Sequence, residues 1–308
     1  MKKILVSMGE GGGAGIILLC DAARKNKDIL FELVSDEKAL KDYCRKTKIS
    51  LPENISLIQT KAKNFRLIPG KPTGESGRLA FESLKESVDI ISATENEYLG
   101  LLTLPVIKSS MNVFCRGFSG HTEYLAKREK RRAAMLLYSK KISVVPLTTH
   151  VNLSRVSKLI NFETVNAQMK AVKDFYSERL KKEGKFAILC VNPHCSDNNL
   201  LGYEDENLRK IVCRLKKHFN LDGPLCADSA FTSENLKRYD VFFGMYHDQV
   251  LIPFKMVSFN SGVNVTCGLT YLRVSPDHGP ACDRVFSNEL DTGSILESVK
   301  LLLKVKKS

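Results

Sequence analysis

Three of the six histidines stand in the same setting. His150 follows the apolar run 142–149, His194 follows 186–193, and His247 follows 241–246. Short apolar runs of this kind predict buried strands. In a parallel α/β sheet the carboxyl ends of the strands share one crevice, where ligands bind. Three imidazoles delivered there would form a divalent-metal site with an open coordination position. The plainer alternative is a strand-end histidine satisfied by a backbone carbonyl, and the threefold repetition weighs against it. His218, beside Lys216 and Lys217, reads as a helix-surface residue with no role.

Three further clusters carry polar chemistry. Gly120-His121-Thr122-Glu123 sets a histidine beside a hydroxyl, with Gly120 permitting close backbone approach. Thr122 also fits a helix N-cap before Glu123 and Leu125. Asp277-His278-Gly279-Pro280-Ala281-Cys282-Asp283 is a polar loop with one histidine and two carboxylates. Near the N-terminus, Gly9, Gly11 and Ala14 match a loose dinucleotide-binding fingerprint, with Asp36 at roughly the distance of its ribose-binding acid. So glycine-rich a stretch matches some register by chance, and a flexible or substrate-facing loop is the preferred reading. No Gly-Lys-Ser/Thr ending follows, which excludes a phosphate-binding P-loop.

The elements that must position these residues alternate. Ile4–Val6, Phe31–Val34, Ile142–Pro146, Phe186–Val191 and Val241–Met245 predict strands. Ala80–Val88, Val165–Lys181, Glu206–Lys217 and Ser294–Val305 predict helices. The alternation argues for an α/β fold with largely parallel sheet, and 308 residues suffice for two domains. With 43% hydrophobic residues, disorder is excluded, and no apolar run reaches the roughly 18 residues of a membrane helix. The opening Met1–Val6 has a faint leader character, broken at once by Ser7, Gly9 and Glu10. Nine cysteines without a C-x-x-C pair form neither a disulfide framework nor a zinc knuckle, and a reducing cytoplasm fits them. The net charge of +13 suits an enzyme that handles anions. The basic run Lys127–Arg132 lacks interleaved aromatics and reads as a solvated face, so neither nucleic acid nor a membrane is an expected partner.

Taken together, these segments resemble the 4-hydroxythreonine-4-phosphate dehydrogenase family of vitamin B6 biosynthesis. The resemblance runs in order through Gly70-Lys71-Pro72 with Gly77, Thr103-Leu104-Pro105-Val106-Ile107-Lys108, Gly120-His121-Thr122-Glu123, Thr149-His150, Asn192-Pro193-His194 and Gly223-Pro224-Leu225-Cys226-Ala227-Asp228. It continues through Met245-Tyr246-His247-Asp248-Gln249 to Lys255, Val263-Asn264-Val265-Thr266, Arg273-Val274-Ser275 and Asp277-His278-Gly279. The sequence departs from the family at the glycine-rich start, where both usual prolines are missing. It departs again at Cys195-Ser196-Asp197, where Ala-Gly-Glu is common, and at Gly279-Pro280-Ala281, where the family has Gly-Thr-Ala.

The resemblance implies a two-domain fold similar to isocitrate and isopropylmalate dehydrogenases, not Rossmann, with a cleft between the domains. Residues 1–125 with 268–308 would form the cofactor-side domain, and 126–267 the metal and dimer side. It implies His150, His194 and His247 as ligands of one divalent metal (zinc, cobalt or magnesium). It implies His121, Thr122, Lys255, Asn264 and Arg273 as substrate contacts, and His278, Gly279 and Asp283 as contacts of NAD or NADP. Asp228, Asp248 and Lys255 are the candidate catalytic groups. The implied reaction is oxidative decarboxylation of 4-phosphohydroxy-L-threonine to 3-amino-2-oxopropyl phosphate, by a homodimer whose metal histidines come from both chains. Two other readings stay open: a related enzyme acting on another hydroxy acid or a dihydrodiol, and a degenerate, non-catalytic anion-binding protein.

Overall fold

A computed structural model describes residues 1–94, 96–287 and 289–305. The chain divides into two compact units. The first joins Met1–Tyr124 to the segment that begins at Leu269, and the second is Leu125–Gly268. The last three residues of the expected first domain, 306–308, lie outside those described.

In chain order the first unit contains β1 (Lys2–Ser7), α1 (Gly15–Lys25), β2 (Ile29–Ser35), α2 (Glu37–Thr47), β3 (Ile55–Gln59), α3 (Gly74–Ala93), β4 (Leu101–Thr103) and α4 (Lys108–Asn112). Helix α5 (His121–Arg128) spans the boundary. The second unit follows with β5 (Ala134–Tyr138), β6 (Ser143–Pro146), α6 (Val156–Leu159), α7 (Phe162–Asp174), β7 (Phe186–Leu189), α8 (Glu204–Leu215), β8 (Leu221–Leu225), α9 (Ser233–Arg238), β9 (Val241–Gly244), α10 (His247–Ser258) and β10 (Val263–Cys267). The first unit is completed by β11 (Arg273–Pro276) and α11 (Gly293–Lys304).

The sheet of the first unit runs β3-β2-β1-β4-β11, and every neighbouring pair is parallel. Parallel strands are buried on both faces and so read as unbroken apolar runs. Ile4, Leu5 and Val6 accordingly have no exposed surface, and each such side chain contributes about 1.5–3 kcal/mol by leaving water. Helix α3 packs on β1 and β2, and α11 packs on β11 and α1. A capping box between Thr73 and Ser76 starts α3, satisfying N–H groups that the first helical turn would leave open. Gly77 lies where that helix meets α4: an added Cβ would stand 2.6 Å from the Ser110 side chain.

In the second unit the order is β10-β5-β6-β9-β7-β8. Strands β6, β9, β7 and β8 are parallel, whereas β5 runs antiparallel to both β6 and β10. The sheet is largely parallel, as expected, and β5 is the antiparallel exception. The link from Tyr138 to Ser143 is a tight turn, held by Ser139 Oγ accepting from the Lys141 and Ile142 amides. A link that short joins only antiparallel strands. The core beneath these strands includes Leu137, Val144, Leu189, Phe242, Val250 and Phe254. Among the described residues, no helix is long and apolar enough to cross a membrane.

Candidate functional site

The three singled-out histidines stand beyond the carboxyl ends of three adjacent parallel strands. His150 follows β6, His247 opens α10 directly after β9, and His194 lies in the turn after β7. The ends of these strands are tied to one another. Thr148 donates both its amide (3.1 Å) and its hydroxyl (2.6 Å) to the Met245 carbonyl, linking the β6 and β9 ends. Gln249 accepts from the Met245 amide at 2.7 Å and donates to the Cys190 carbonyl at 3.0 Å, linking the β9 and β7 ends. Both residues position histidines they do not replace. Gln249 was readable only as a letter of the Tyr-His-Asp-Gln motif, and Thr148 carried no separate signal.

The imidazoles of His150 and His247 have centroids 6.0 Å apart. Nδ1 of His247 bonds Oδ1 of Asp248 at 2.6 Å, an arrangement that fixes the ring and leaves Nε2 for a ligand. His194 is exposed, and within one chain it does not join the other two at ligand distance. Among the described residues, the only set of three His, Cys, Asp or Glu ligand atoms within 4.8 Å of one another is Cys190, Cys195 and Cys226. The His194 turn is anchored by buried Asp205, whose carboxylate accepts from the Val191 amide (2.6 Å), the Asn192 amide (3.0 Å) and Ser196 Oγ (2.7 Å). Asn192 of the Asn-Pro-His motif donates to Ser196 and Glu204 in the same turn.

In the first unit two cations, buried Arg273 and exposed Lys108, act on a neutral imidazole. Arg273, 1% exposed, donates from Nε (3.1 Å) and Nη2 (2.6 Å) to Thr103 Oγ1. Burial pushes its guanidinium down to about 10. Burial, and then the charges of Arg273 and Lys108, hold His121 well below the ordinary imidazole range, and His121 Nε2 is buried with no hydrogen-bond partner. Burial also lowers Lys108. An uncharged imidazole between two cations suits an anionic ligand. Lys108 appeared in the sequence reading only as the end of a motif. Thr122 is the second residue of α5 and is buried, so it is not the helix N-cap; the Gly120 carbonyl already accepts from Tyr124.

Two predictions arise at this cluster. Thr103→Val should leave the buried Arg273 short of an acceptor and destabilise folding by about 1–3 kcal/mol, measured by urea unfolding. The second concerns acid. His121 resists protonation in the folded chain, so below about pH 6.5 the unfolded chain takes up a proton that the native chain does not. Stability then falls as pH falls. His121→Gln should flatten that fall by up to about 1.4 kcal/mol per pH unit, the limit for one proton. Parallel urea midpoints from pH 7 downward in both proteins would contradict the assignment.

The remaining expected residues fall in separate places. Lys255 lies in the last turn of α10, its Nζ 5.3 Å from the Phe259 ring centre. Asn264 sits in β10 with Oδ1 buried and unpartnered. Asp228 is exposed in the turn after β8. In the loop after β11, His278 Nδ1 lies 2.8 Å from the Gly279 carbonyl, and its buried Nε2 has no partner. Nothing lies within 4 Å of a Cβ built at Gly279, and Asp283 is exposed, 3.9 Å from Arg284. An unpartnered, buried ring nitrogen beside an open glycine fits a bound cofactor. A cavity of about 690 Å³, lined by Lys173, Lys182, Phe186, Lys217, His218 and Phe219, lies at the amino end of β7, the end opposite His194.

The loose dinucleotide fingerprint is corrected by packing. The order β3-β2-β1-β4 puts the crossover switch between β1 and β4, where doubly wound sheets bind ligands. Here the chain's own backbone fills that place. A Cβ at Gly9 would stand 2.2 Å from the Pro105 carbonyl oxygen, and the Glu10 amide bonds that oxygen at 2.8 Å. The loop is buried, which removes the flexible half of the expected flexible or substrate-facing loop. Asp36 caps α2, accepting from the Ala39 amide at 3.1 Å and the Phe65 amide at 3.2 Å, and so is not free for a ribose.

Comparison with known proteins agrees along the chain. The model of the pyridoxal phosphate biosynthetic protein PdxA matches residues 17–302. A 4-hydroxythreonine-4-phosphate dehydrogenase of Hydrogenobaculum sp. is 37% identical, with 98% of each chain covered. One from Aquifex aeolicus is 32% identical, over 98% of this chain and 97% of that protein. The crystal structure of 4-hydroxythreonine-4-phosphate dehydrogenase from Klebsiella pneumoniae shares the fold, with a TM-score of 0.79 at 24% identity over 98% of this chain and 99% of that one. With its sequence matched nearly end to end, the chain belongs to the PdxA family of pyridoxal phosphate biosynthetic proteins, whose curated relatives are dehydrogenases.

Proposed function

We propose that the protein carries out the metal-dependent, NAD- or NADP-linked oxidative decarboxylation of 4-phosphohydroxy-L-threonine to 3-amino-2-oxopropyl phosphate, a step of vitamin B6 biosynthesis. The observation that carries this reading is the placing of His150, His247 and His194 at the carboxyl ends of adjacent parallel strands, with Asp248 orienting His247. Relatives that carry the name of this dehydrogenase over nearly their whole length support the choice of substrate.

Imidazole donors suit zinc or cobalt better than magnesium. When bound, the ion supplies Lewis acidity at the substrate hydroxyl and at the ketone formed from it. The chain's own groups do the rest. Arg273 and Lys108 offer charge to the phosphate or carboxylate, and Thr122 a hydroxyl. His121 offers its unpartnered Nε2 to a substrate oxygen. Lys255 and Asn264 are the corresponding donors of the second unit. His278, Gly279 and Asp283 would hold a nicotinamide dinucleotide, which would supply the acceptor for the hydride of the hydroxyl-bearing carbon. Asp228, Asp248 and Lys255 are the groups able to take the hydroxyl proton and return one after carbon dioxide departs. The working form is a cytoplasmic homodimer acting on a small molecule, without nucleic acid or membrane.

The test follows absorbance of reduced nicotinamide with 4-phosphohydroxy-L-threonine, NAD or NADP, and a panel of divalent metals, together with carbon dioxide release. Both products should appear in equal amounts. Oxidation without carbon dioxide would remove the decarboxylation step. No turnover with any metal would favour the non-catalytic anion-binding reading, which the departures at the glycine-rich start and at Gly279-Pro280-Ala281 motivate and for which Arg273, Lys108 and His121 would form the anion site.

A further inference from the structure

Outside the histidines, one cluster in the second unit has the chemistry of a ligand set. Cys190 lies just beyond β7, Cys226 just beyond β8, and Cys195 in the turn that carries His194. Strands β7 and β8 are parallel neighbours, and the Cys190 amide bonds the Leu225 carbonyl at 2.8 Å, so the two strand ends stand side by side. The turn after β7 then folds Cys195 back over them. All three Sγ atoms lie within 4.8 Å of one another, and Cys195 and Cys226 are 3.4 Å apart. Sequence spacing hides the set, because its members are drawn from two strand ends and a turn rather than from a C-x-x-C pair.

We propose that Cys190, Cys195 and Cys226 form a second cation site, for a thiophilic ion of the Zn²⁺ class. Thiolates around tetrahedral zinc, at about 2.3 Å from the metal, stand about 3.8 Å apart. The 3.4 Å between Cys195 and Cys226 and the 4.8 Å limit on all three spacings are compatible with that value, so small side-chain movements bring the three sulfurs to a common centre. Soft sulfur donors select Zn²⁺ or Cu⁺ over Mg²⁺ or Ca²⁺. Cys190 is buried, while Cys195 and Cys226 are partly exposed, leaving a path for the ion and for a water as fourth ligand. Arg209 donates to the Cys195 carbonyl at 2.9 Å and brings a positive charge beside a site that would carry net negative charge when filled.

Such a tether would add to the Asp205 anchor of the turn. His194, Cys195, Ser196, Asp197, Asn198 and Asn199 all have positive φ, between 41° and 71°. A run of non-glycine residues in this region is strained, and holding Cys195 to the ends of β7 and β8 opposes its relaxation. A disulfide between Cys195 and Cys226 would tether it too. That bond requires a length of about 2.05 Å and an oxidant to remove two electrons, so the metal is the simpler occupant of three reduced thiols.

The experiment uses full-length protein stripped of metal, reduced, and titrated with Co²⁺. Sulfur-to-cobalt charge transfer in the near ultraviolet reports thiolate ligands and is absent from a purely histidine site. One equivalent should develop the band, and Zn²⁺ should abolish it. The band should be lost in Cys226→Ser and in Cys190→Ser, and kept in Cys213→Ser, an exposed cysteine of α8. It should persist in His247→Ala, which separates this site from the proposed activity. A second readout needs no variant: Zn²⁺ should slow alkylation of Cys195 and Cys226 at least tenfold, and leave Cys213 unaffected, by peptide mass spectrometry. The proposal is overturned if reduced wild-type protein shows no charge-transfer band, or if the band survives in both cysteine variants. It is equally overturned if Zn²⁺ gives no selective protection, or if the protein prepared without oxidant contains a Cys195–Cys226 disulfide.

Discussion

His247→Ala is expected to lower kcat/KM for 4-phosphohydroxy-L-threonine by more than about a hundredfold, and Asp248→Asn by about 10–100-fold, the usual cost of removing a ligand's orienting partner. The order follows from the geometry. Asp248 Oδ1 lies 2.6 Å from His247 Nδ1. Its loss leaves the ligand atom in place but frees the ring to turn and change tautomer, whereas the alanine removes the ligand itself. Elemental analysis should show parallel losses of histidine-bound metal, with His150→Ala and His194→Ala resembling His247→Ala. His218→Ala is the control, since His218 is exposed beyond the end of α8. Should the metal held by the three imidazole variants match that of wild type, the histidines would have to be removed from the metal assignment.

The strand-end positions of these histidines were legible because buried parallel strands are apolar on both faces. Phe186–Leu189 and Val241–Gly244 lie in such runs, which continue past each strand end to Val191 and Met245 before polar residues follow. The helices were legible by periodicity, though their ends were not: the stretch Val165–Lys181 holds α7 only to Asp174, followed by a π turn. Strands β4, β8 and β11 are short or interrupted by Gly and Pro, and no period-two signal survives in them. The glycine-rich start was misleading for a physical reason. Glycine serves equally where backbone approaches a ligand and where it approaches backbone, and only the Pro105 carbonyl above Gly9 decides which. The cysteine cluster was unreadable because Cys226 lies 31 residues from Cys195 and meets it through strand order, and the sequence did not join Lys108 to His121 and Arg273, which the resemblance names.

The largest change in the other direction, from inactive to active, is expected from mixing inactive chains. Within one chain His150 and His247 approach each other, and His194 does not join them at ligand distance. If the three histidines share one ion, a residue must come from elsewhere, and the proposed two-fold dimer would supply one by presenting the same patch twice. If two of the histidines in a site come from different chains, a hybrid of the two corresponding alanine variants gathers both defects into one site. Its second site is intact, and activity returns although each parent is dead. If each site is built from one chain, every site of the hybrid carries one defect and nothing returns. Of the three pairings among His150→Ala, His194→Ala and His247→Ala, at least one should recover activity after unfolding and refolding together, with hybrid formation verified by mass. The same hybrids should regain histidine-bound metal in step with activity, which separates restored coordination from restored folding. Silence in all three pairings, with hybrids present, would mean that no pair of these histidines is shared across a dimer, and the assembly would have to be withdrawn from the mechanism.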